Sequence, residues 1–314
     1  MVGSISDRLP AIRLTNPPSG DMEALRLTLM SGLLAAIHEN AKHERAGLWL
    51  FEIGRRYLPT PELRAGTGLA QERRSLGVAL TGPIAQSWAT PEHSADFYDL
   101  KGVAELIVQT LKVPAYRFAP ATHPTFHPGR CASLEVMEVP NEAGDLSPDP
   151  SPKEGGGRGR EGGARAVGES GTWVQVGVLG EVHPVVAEQF DIPQRTYLME
   201  LDLERFYAGV PEQALHTAIL RYPAATRDLA LVVDAAAPAA AVADAIRASG
   251  GALLREVRLF DLYTGEGIPP GKKSLAYTLT YQSSERTLTE GEIEASVQAI
   301  VAALGKRFGA TMRG

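Results

Sequence analysis

The stretch LLREVRLFDLYTGEGIPPGKKSLAYTLTYQ (residues 253–282) decides the fold of the C-terminal part of the chain. It contains two strand-like runs, and the turn between them is rich in glycine and proline. Two runs joined in this way predict an antiparallel hairpin. In the second run, alternate residues are large and apolar, so they are predicted to share one face of a sheet. These residues are Leu275, Tyr277, Leu279 and Tyr281.

The segments around this hairpin complete a six-element pattern. Before it lie the alternating run DLALVVD (228–234) and a helix predicted to begin at Pro238. After it lie a helix whose Thr289 and Glu292 have capping-box spacing, and the short strand ATMR (310–313). The order strand, helix, strand, strand, helix, strand over about 90 residues is that of a ferredoxin-like βαββαβ domain. Both helices are then expected on one face of the sheet, which leaves the other face for a partner.

The preceding part of the chain has strand-like runs interrupted by few helices. This pattern predicts an antiparallel sheet with helices packed on it, an α+β architecture, and disfavours a doubly wound nucleotide-binding fold. The predicted helices cover residues 21–40 and 100–111, and the predicted strands are LWLFEIGRRYL (48–58), SLGVALTG (75–82), CASLEVMEV (131–139), TWVQVGVLG (172–180) and TYLMELDL (196–203).

The composition excludes several classes of protein. A chain of 314 residues is too long for a peptide hormone or toxin and is long enough for two domains. With Cys131 as its one cysteine it has no disulfide framework, which favours a reducing, cytoplasmic location. No window of 18 apolar residues is present, so no membrane span is expected. The net charge of −6 means that a nucleic-acid partner needs a local cationic patch.

Residues 141–171, NEAGDLSPDPSPKEGGGRGREGGARAVGESG, have no periodic apolar positions and are rich in glycine, proline and serine. Such a segment buries too little surface to offset the entropy of ordering it, so it is predicted to be a disordered insertion within one domain. An RNA-binding role for its GGGRGREGG core is the alternative. The predicted domains are residues 1–212, which contain the insertion, and residues 219–314.

Several motifs together resemble the C-terminal part of the bacterial phenylalanine–tRNA ligase β subunit. The resemblance implies a class II synthetase-like domain without catalytic chemistry, followed by a ferredoxin-fold anticodon-binding domain. The tRNA-binding, editing and magnesium-binding modules of that family are not expected in this sequence, so neither is editing activity. The motifs are NPPSGDMEALRLTLMSGLLAAIHEN (16–40), LFEIGRRY (50–57), DFYDLKG (96–102), HPGRCA (127–132), GEVHP (180–184), RYPAATRDLALVVD (221–234), LFDLYTGEGIPPGKKSLAYTLTYQ (259–282) and RTLT (286–289).

The resemblance also implies where an ATP site would lie. A class II synthetase holds the phosphates of ATP with two arginines, which stabilise the charge of the transition state. Arg55 and Arg56 are the candidates for the first arginine, but no acidic partner is evident after them, and MELDLERF (199–206) lacks the GxGxxR pattern of the second. We therefore expect no catalytic residue and no cofactor in this chain, which alone is predicted to be inactive. ATP and Mg are expected only in the assembled enzyme.

Two histidine motifs are candidate sites. His123, His127 and Cys131 have the spacing H-x3-H-x3-C, but two prolines and a glycine in this stretch exclude a helix that would align them. A loop entering a strand is the favoured alternative to a zinc site. His183 and the proline after it are expected to form a corner between a strand and a helix, and no covalent chemistry is predicted for Cys131.

The family resemblance implies an α2β2 assembly with the phenylalanine–tRNA ligase α subunit. The predicted subunit interface is an apolar stripe on the first helix. Packing of this stripe on its own sheet is the alternative. The stripe consists of Leu25, Leu29, Leu33, Leu34 and Ile37.

The second implied partner is tRNA(Phe). Residues 219–314 contain 11 Lys and Arg against 10 Asp and Glu, which gives +1. For Arg227, the alternative to a contact with tRNA is an internal ion pair with Asp228. Tyr263, Tyr277 and Tyr281 are candidates for base stacking or for the core. The predicted tRNA-binding residues are Lys272, Lys273, Arg286, Arg221 and Arg227.

The sequence thus predicts a non-catalytic β subunit, or its C-terminal portion, of a ligase that attaches phenylalanine to tRNA(Phe) with ATP. Neither a membrane nor DNA is expected as a partner. A free-standing RNA-binding or scaffolding protein derived from that subunit is the main alternative, and an autonomous ligase-like enzyme is the other. Pyrophosphate exchange without the α subunit would reveal the latter.

Overall fold

The computed structural model describes residues 11–20, 23–43, 47–84, 93–138, 172–211 and 221–313. The chain divides into two units, Met1–Ala214 and Leu215–Gly314. The predicted insertion (141–171) and the predicted boundary between the domains (212–219) lie outside the described residues. Within the described ranges, no helix has the length and apolar character needed to cross a bilayer.

The N-terminal unit is built on a six-stranded sheet in which all neighbouring strands are antiparallel, which confirms the α+β prediction. Its strand order is β1-β2-β8-β7-β6-β5. The elements of the unit are α1 (Met30–Ala41), β1 (Leu48–Leu58), α2 (Pro61–Arg64), β2 (Gln71–Thr81), β3 (Pro83–Ile84), β4 (His93–Ser94), α3 (Phe97–Thr110), β5 (Tyr116–Pro120), β6 (Phe126–Met137), β7 (Trp173–Val182), α4 (Pro184–Gln189), β8 (Thr196–Asp202) and α5 (Leu203–Tyr207).

Each face of this sheet carries its own apolar core, because alternate residues of a strand point to opposite faces. On one face, here called the α1 face, helix α1 packs against residues such as Ala79 and Leu198. On the other, the α3 face, helix α3 packs against residues such as Leu80 and Met199. The central strands are therefore buried on both sides.

The prediction of a helix over residues 21–40 is wrong for residues 23–29. Helix α1 begins at Met30, and the segment before it is extended: the Leu25 N–H donates to the Ile12 carbonyl at 2.8 Å. The start is fixed by Glu200 on β8, whose carboxylate accepts hydrogen bonds from the Leu29 N–H at 2.6 Å and from the Thr28 hydroxyl at 2.9 Å. A buried carboxylate distant in sequence thus holds the first turn.

The C-terminal unit has the predicted order of elements. Its four-stranded sheet has the order β10-β11-β9-β12, and each neighbouring pair is antiparallel. Both bonds of the capping box of α7, between Thr289 and Glu292, are present. The elements are β9 (Ala225–Asp234), α6 (Ala239–Ser249), β10 (Leu254–Tyr263), β11 (Lys272–Tyr281), α7 (Glu290–Phe308) and β12 (Thr311–Met312).

The predicted apolar face of β11 is the core of this unit, because all four of its large residues are buried. The Tyr277 hydroxyl donates to the Ala239 carbonyl at 2.9 Å, and the Ser296 hydroxyl donates to the Tyr281 oxygen at 3.1 Å. Burial raises the pKa of Tyr277 and of Tyr281. These two tyrosines are core residues, and their rings are not accessible for base stacking.

Candidate functional site

A buried cluster of charges lies on the α1 face of the N-terminal sheet, where β1, β2 and β8 run side by side. The register places Arg56 opposite Arg73, and Ser75 opposite Asp202. Glu200 precedes Asp202 by two residues and therefore lies on the same face. The alternation of the strands thus brings together residues that are far apart in the sequence.

The central contact of this cluster is an ion pair with little access to water. Arg56 Nη2 donates to Asp202 Oδ2 at 2.6 Å, and both side chains are 8% exposed. Arg56 Nη1 lies 3.8 Å from Glu200 Oε2. Burial raises the pKa of Glu200, while its hydrogen bond from the Leu29 N–H and the charge of Arg56 act in the opposite direction. The cluster holds three strands and the start of α1 together.

This geometry does not make a phosphate clamp of Arg56. A clamp needs a guanidinium that is free to neutralise the charge on ATP, whereas Arg56 is already paired with Asp202 and faces Glu200. The neighbouring Arg55 is exposed and pairs with Glu72 across the strands. The cavity beside Arg56 has a volume of about 200 Å³, below the roughly 300–1,000 Å³ of typical ligand pockets.

The expectation that Arg56 lacks an acidic partner is wrong. Its partners lie in MELDL (199–203), within the stretch that lacks the second arginine. A signal for them was present, because Glu200 and Asp202 occupy alternate positions of an otherwise apolar strand. Acidic residues in a strand buried on both faces need a cationic partner, and Arg56 is the cation on the neighbouring strand pair.

The H-x3-H-x3-C motif forms a loop that enters a strand. The buried His123 ring accepts a hydrogen bond from the Thr125 N–H at 3.3 Å, and His127 Nδ1 accepts one from the Gly129 N–H at 3.1 Å. Cys131 lies in the core of the α1 face, and burial raises its pKa to about 11. In the part of the chain that the structure describes, no three His, Cys, Asp or Glu side chains are grouped as metal ligands.

The second histidine motif forms the predicted corner. β7 ends at Val182, and His183 caps α4 by accepting a hydrogen bond from the Val185 N–H at 3.2 Å. Pro184 is the first residue of the helix, where its missing N–H costs nothing.

His123 gives the N-terminal unit a dependence on pH. Burial lowers the pKa of His123 from 6.5 to about 4. The unfolded chain therefore takes up a proton at a higher pH than the folded chain does, so the free energy of unfolding decreases as the pH falls from 6.5 to 4 and then levels off. We expect this residue to account for a loss of about 2 kcal/mol. Urea unfolding at pH 7.5 and 4.5, followed by tryptophan fluorescence, measures it.

His123→Gln removes the titrating ring, so the difference in unfolding free energy between the two pH values should shrink by that amount. His127→Gln is the matched control, because the same change four residues away leaves the buried ring in place. An equal pH dependence in wild type and His123→Gln would contradict the prediction.

An exposed apolar strip lies on edge strand β1. Trp49, Phe51 and Ile53 are 54%, 73% and 63% exposed, and they lie opposite Leu80, Val78 and Leu76 of β2. The two buried members of that β2 row belong to the core of the α3 face. The apolar core therefore continues onto three uncovered side chains, here called the β1 strip. Contiguous exposed apolar side chains of this kind mark surfaces that bind a partner.

The stripe that the sequence predicts as the subunit interface is separate from the β1 strip. Leu29, Leu33, Leu34 and Ile37 are at most 4% exposed and pack on their own sheet, while Leu25 is half-buried before the helix begins. Packing on the sheet was the alternative interpretation. Side chains that are buried to this extent have no accessible area for contact with another subunit. The β1 strip is therefore the better candidate for a subunit interface.

The five predicted tRNA-binding residues do not form one patch. Lys272 lies opposite Asp234 at the end of β9, whereas Arg227 lies near the beginning of that strand. At about 3.3 Å per residue, this places them more than 15 Å apart. Arg221 and Arg286 lie outside the strands, before β9 and after β11.

Three of the five candidates have partners within the unit. Lys273 Nζ donates to the Ala235 carbonyl at 2.9 Å. Arg286 forms two hydrogen bonds with the Glu292 carboxylate, the longer at 2.8 Å, and this contact lowers the pKa of Glu292. Arg227 pairs with Glu290, so the interpretation of an internal ion pair with Asp228 names the wrong partner. Lys272 and Arg221 are exposed.

The face of this sheet opposite the helices carries a different group of residues. Lys272 shares that face with Tyr263, which lies opposite Ser274, and with Arg258, which lies opposite Thr278. The Arg313 guanidinium is 5.0 Å from the centre of the Tyr263 ring. Lys272, Tyr263 and Arg313 are called the open-face patch. Arg258 lies on the same face but about 20 Å from Lys272 along the strands, so it is outside the patch. Arg313 was not predicted from the sequence.

The comparisons with known proteins agree with this organisation. A family model described as "Phenylalanyl tRNA synthetase beta chain CLM domain" matches residues 3–203, and one described as "Ferredoxin-fold anticodon binding domain" matches residues 221–313.

Curated relatives carry the name "Phenylalanine--tRNA ligase beta subunit". That of Symbiobacterium thermophilum is 38% identical over 303 residues, which are 96% of this chain and 30% of the relative. That of Vibrio cholerae is 37% identical over 305 residues, which are 96% of this chain and 33% of the relative. The chain therefore spans about a third of the length of the relatives it matches.

Proposed function

Because the chain belongs to the phenylalanyl-tRNA synthetase beta chain family, we propose that it acts as a non-catalytic part of a phenylalanine–tRNA ligase. In this role it contributes a subunit interface and contacts to the anticodon side of tRNA(Phe), while ATP-dependent attachment of phenylalanine takes place on the α subunit of an α2β2 assembly. ATP and Mg belong to that subunit. The single cysteine fits a reducing compartment, so we place the protein in the cytoplasm.

The non-catalytic role is supported by the contacts of Arg56. An arginine paired with a buried carboxylate at 2.6 Å cannot neutralise a triphosphate without first leaving that carboxylate unpaired in the core. The N-terminal unit thus has the six-stranded sheet, but its Arg56 stabilises the core of that sheet and does not bind phosphate. Its task is then to present surfaces to other molecules.

The β1 strip supports an assembly with another subunit. In a protein that acted alone, Trp49, Phe51 and Ile53 on an edge strand would be a liability for aggregation. Covering by the α subunit removes these side chains from water. This supports a subunit over a free-standing RNA-binding protein.

The observation that carries the tRNA-binding role is the open-face patch. Lys272 and Arg313 supply positive charge for phosphates, and Tyr263 is 36% exposed. Exposed cations beside an aromatic ring on a sheet suit a single-stranded RNA, whose bases stack while its phosphates pair with the cations. Among the residues predicted from the sequence, Lys272 keeps its role in this proposal. Arg227 and Arg286 are weaker candidates because each is already paired with a glutamate.

Replacing Lys272 with alanine tests this role. The variant should bind tRNA(Phe) more weakly than wild type, and the slope of log affinity against log salt should fall by about 0.7–0.9 for the lost phosphate contact. Filter binding at several salt concentrations measures both. Lys306→Ala is the matched control, because Lys306 is an exposed lysine on α7, away from the open face. Equal salt slopes for the Lys272 and Lys306 variants would contradict the proposed patch.

A further inference from the structure

The outer edge of β1 carries backbone hydrogen-bonding groups in addition to the apolar side chains of the β1 strip. The Tyr57 N–H donates to the Arg26 carbonyl at 2.9 Å, and the Arg55 carbonyl accepts a hydrogen bond from Arg26 Nε at 2.7 Å. Because Arg26 lies before α1 and not on β2, these two backbone groups point away from β2. Alternate residues of a strand direct their N–H and C=O groups to the same edge, and β1 pairs with β2 without a register shift. The backbone groups of the three residues of the β1 strip therefore also point outward.

These outward groups have no backbone partner within the part of the chain that the structure describes. β1 is the last strand at its end of the six-stranded order, and its outer edge is bonded only to Arg26 among the described residues. The three residues of the β1 strip thus present three N–H and three C=O groups beside exposed apolar side chains. A strand edge of this kind is a template for pairing with another strand.

Two other edge strands have features that hinder such pairing. β5 has five residues and ends at Pro120, which cannot donate a hydrogen bond to a neighbouring strand. β10 has register shifts between Leu254 and Glu256 and between Leu259 and Asp261, and such bulges twist an edge. β1 has eleven residues, no proline and no register shift. Its edge therefore suits pairing with a partner strand.

The charges next to the β1 strip distinguish between possible partners. On the same face, Arg55 follows the strip and lies directly opposite Arg74. Arg55 contacts Glu72 and Arg74 contacts Glu204, but both arginine side chains remain more than half exposed. Like charges in opposite positions are unfavourable, so an acidic residue on an added strand would stabilise this end of the sheet. A second copy of β1 supplies no such residue, because every residue on this face of β1 is apolar, aromatic or basic.

We propose that an extended segment of the catalytic α subunit adds a seventh strand to this sheet along the outer edge of β1. Its backbone bonds to the outward N–H and C=O groups of the β1 strip, and its alternate apolar side chains cover the strip on the α3 face. An acidic residue of the segment lies beside Arg55. This inference rests on the proposed function, because it takes the α subunit as the partner, and it adds the way in which that partner binds.

Amide hydrogen exchange of the chain, free and mixed with its cognate α subunit, tests the proposal at single residues. The amides of Trp49, Phe51 and Ile53 face the open edge, so they should exchange rapidly in the free chain and at least about tenfold more slowly in the complex. The amides of Leu50 and Glu52 are the matched controls, because they face β2 and are protected in both states. Mass spectrometry with fragmentation to single residues measures the exchange.

Phe51→Pro provides a second measurement. Proline removes the outward N–H of residue 51 but no hydrogen bond between β1 and β2. The affinity of this variant for the α subunit should be at least about fivefold below that of Phe51→Ala, which also loses the ring but keeps the N–H. Equal affinities of the two variants would contradict strand pairing.

Arg55→Gln tests for the acidic residue on the added strand. Association with the α subunit should weaken by about threefold or more at low salt and by less at high salt, because screening reduces the attraction. Arg64→Gln is the matched control, since Arg64 is an exposed arginine on α2, outside the sheet. Equal effects of the two substitutions would remove the acidic residue from the proposal.

Three further outcomes would overturn the proposal. A complex in which the three outward amides still exchange rapidly would show that the α subunit covers side chains only, and the proposed function would stand. Protection of these amides in the free chain would assign the edge to a second copy or to another segment of the chain. If no complex forms, the proposed function fails together with this inference. Should Phe51→Pro fail to fold, as judged by circular dichroism, the exchange of the wild-type amides still decides the outcome.

Discussion

Arg56→Met is expected to destabilise the N-terminal unit by about 3–5 kcal/mol. The change removes the hydrogen-bonded partner of Asp202 and leaves this carboxylate, at 8% exposure, with only Arg73 4.0 Å away. The more deeply buried Glu200 loses its nearby cation as well. Urea unfolding followed by tryptophan fluorescence measures the loss. All three tryptophans of the sequence lie within residues 1–214, so this signal reports on the N-terminal unit.

Arg55→Met is the matched control for this prediction. Arg55 is the next residue on the same strand, but it is exposed and pairs with Glu72 in water, so its loss should cost less than about 1 kcal/mol. In the double variant Arg56→Met/Asp202→Leu no unpaired carboxylate remains at position 202, so part of the lost stability should return. The rest stays lost, because Glu200 still lacks Arg56 and α5 loses its cap at Asp202. Equal losses for the two single arginine variants would show that the buried pair is not structural.

Phe51→Asp is expected to weaken association with the catalytic α subunit by about 30-fold or more, which corresponds to about 2 kcal/mol. Phe51 is the most exposed member of the β1 strip, at 73%, and an aspartate there would place a charge in the covered interface. The free energy of unfolding should change little, because an exposed side chain contributes little to the core. Surface plasmon resonance with immobilised α subunit measures the affinity.

Leu69→Asp is the matched control. It shows whether weaker binding of Phe51→Asp is due to a specific interface or to the loss of any exposed apolar side chain. Leu69 is 85% exposed, so the two substitutions add the same charge to a similarly accessible apolar position. Leu69 lies between α2 and β2 and outside the β1 strip. Its variant should bind the α subunit as wild type does. An unchanged affinity for Phe51→Asp would remove the β1 strip as the interface.

The C-terminal unit could be predicted from the sequence because its signals are local. The alternation in β9 and β11 and the capping box of α7 each depend on residues within a few positions of one another. Helix α1 shows the limit of such signals. Its apolar spacing extends back to Leu25, but Glu200, 171 residues from Leu29, fixes the start by hydrogen bonds.

The candidate sites were predicted less completely because they depend on strand register. Nothing near Arg56 in the sequence indicates that Asp202 lies beside it, since β2 and β8 must first pair. Likewise, the pairing of Arg227 with Glu290 depends on how the start of α7 meets β9. The exposure of Lys272 could be predicted, because a lysine beside a hairpin turn is exposed in almost any arrangement of the strands.

The central claim is that this chain works by binding a catalytic subunit and tRNA. Sedimentation of the wild-type chain mixed with its cognate α subunit tests the first half of the claim most directly. At about 1 μM of each protein, we predict a single faster species that contains both. Two species that sediment at the rates of the separate proteins would contradict the account.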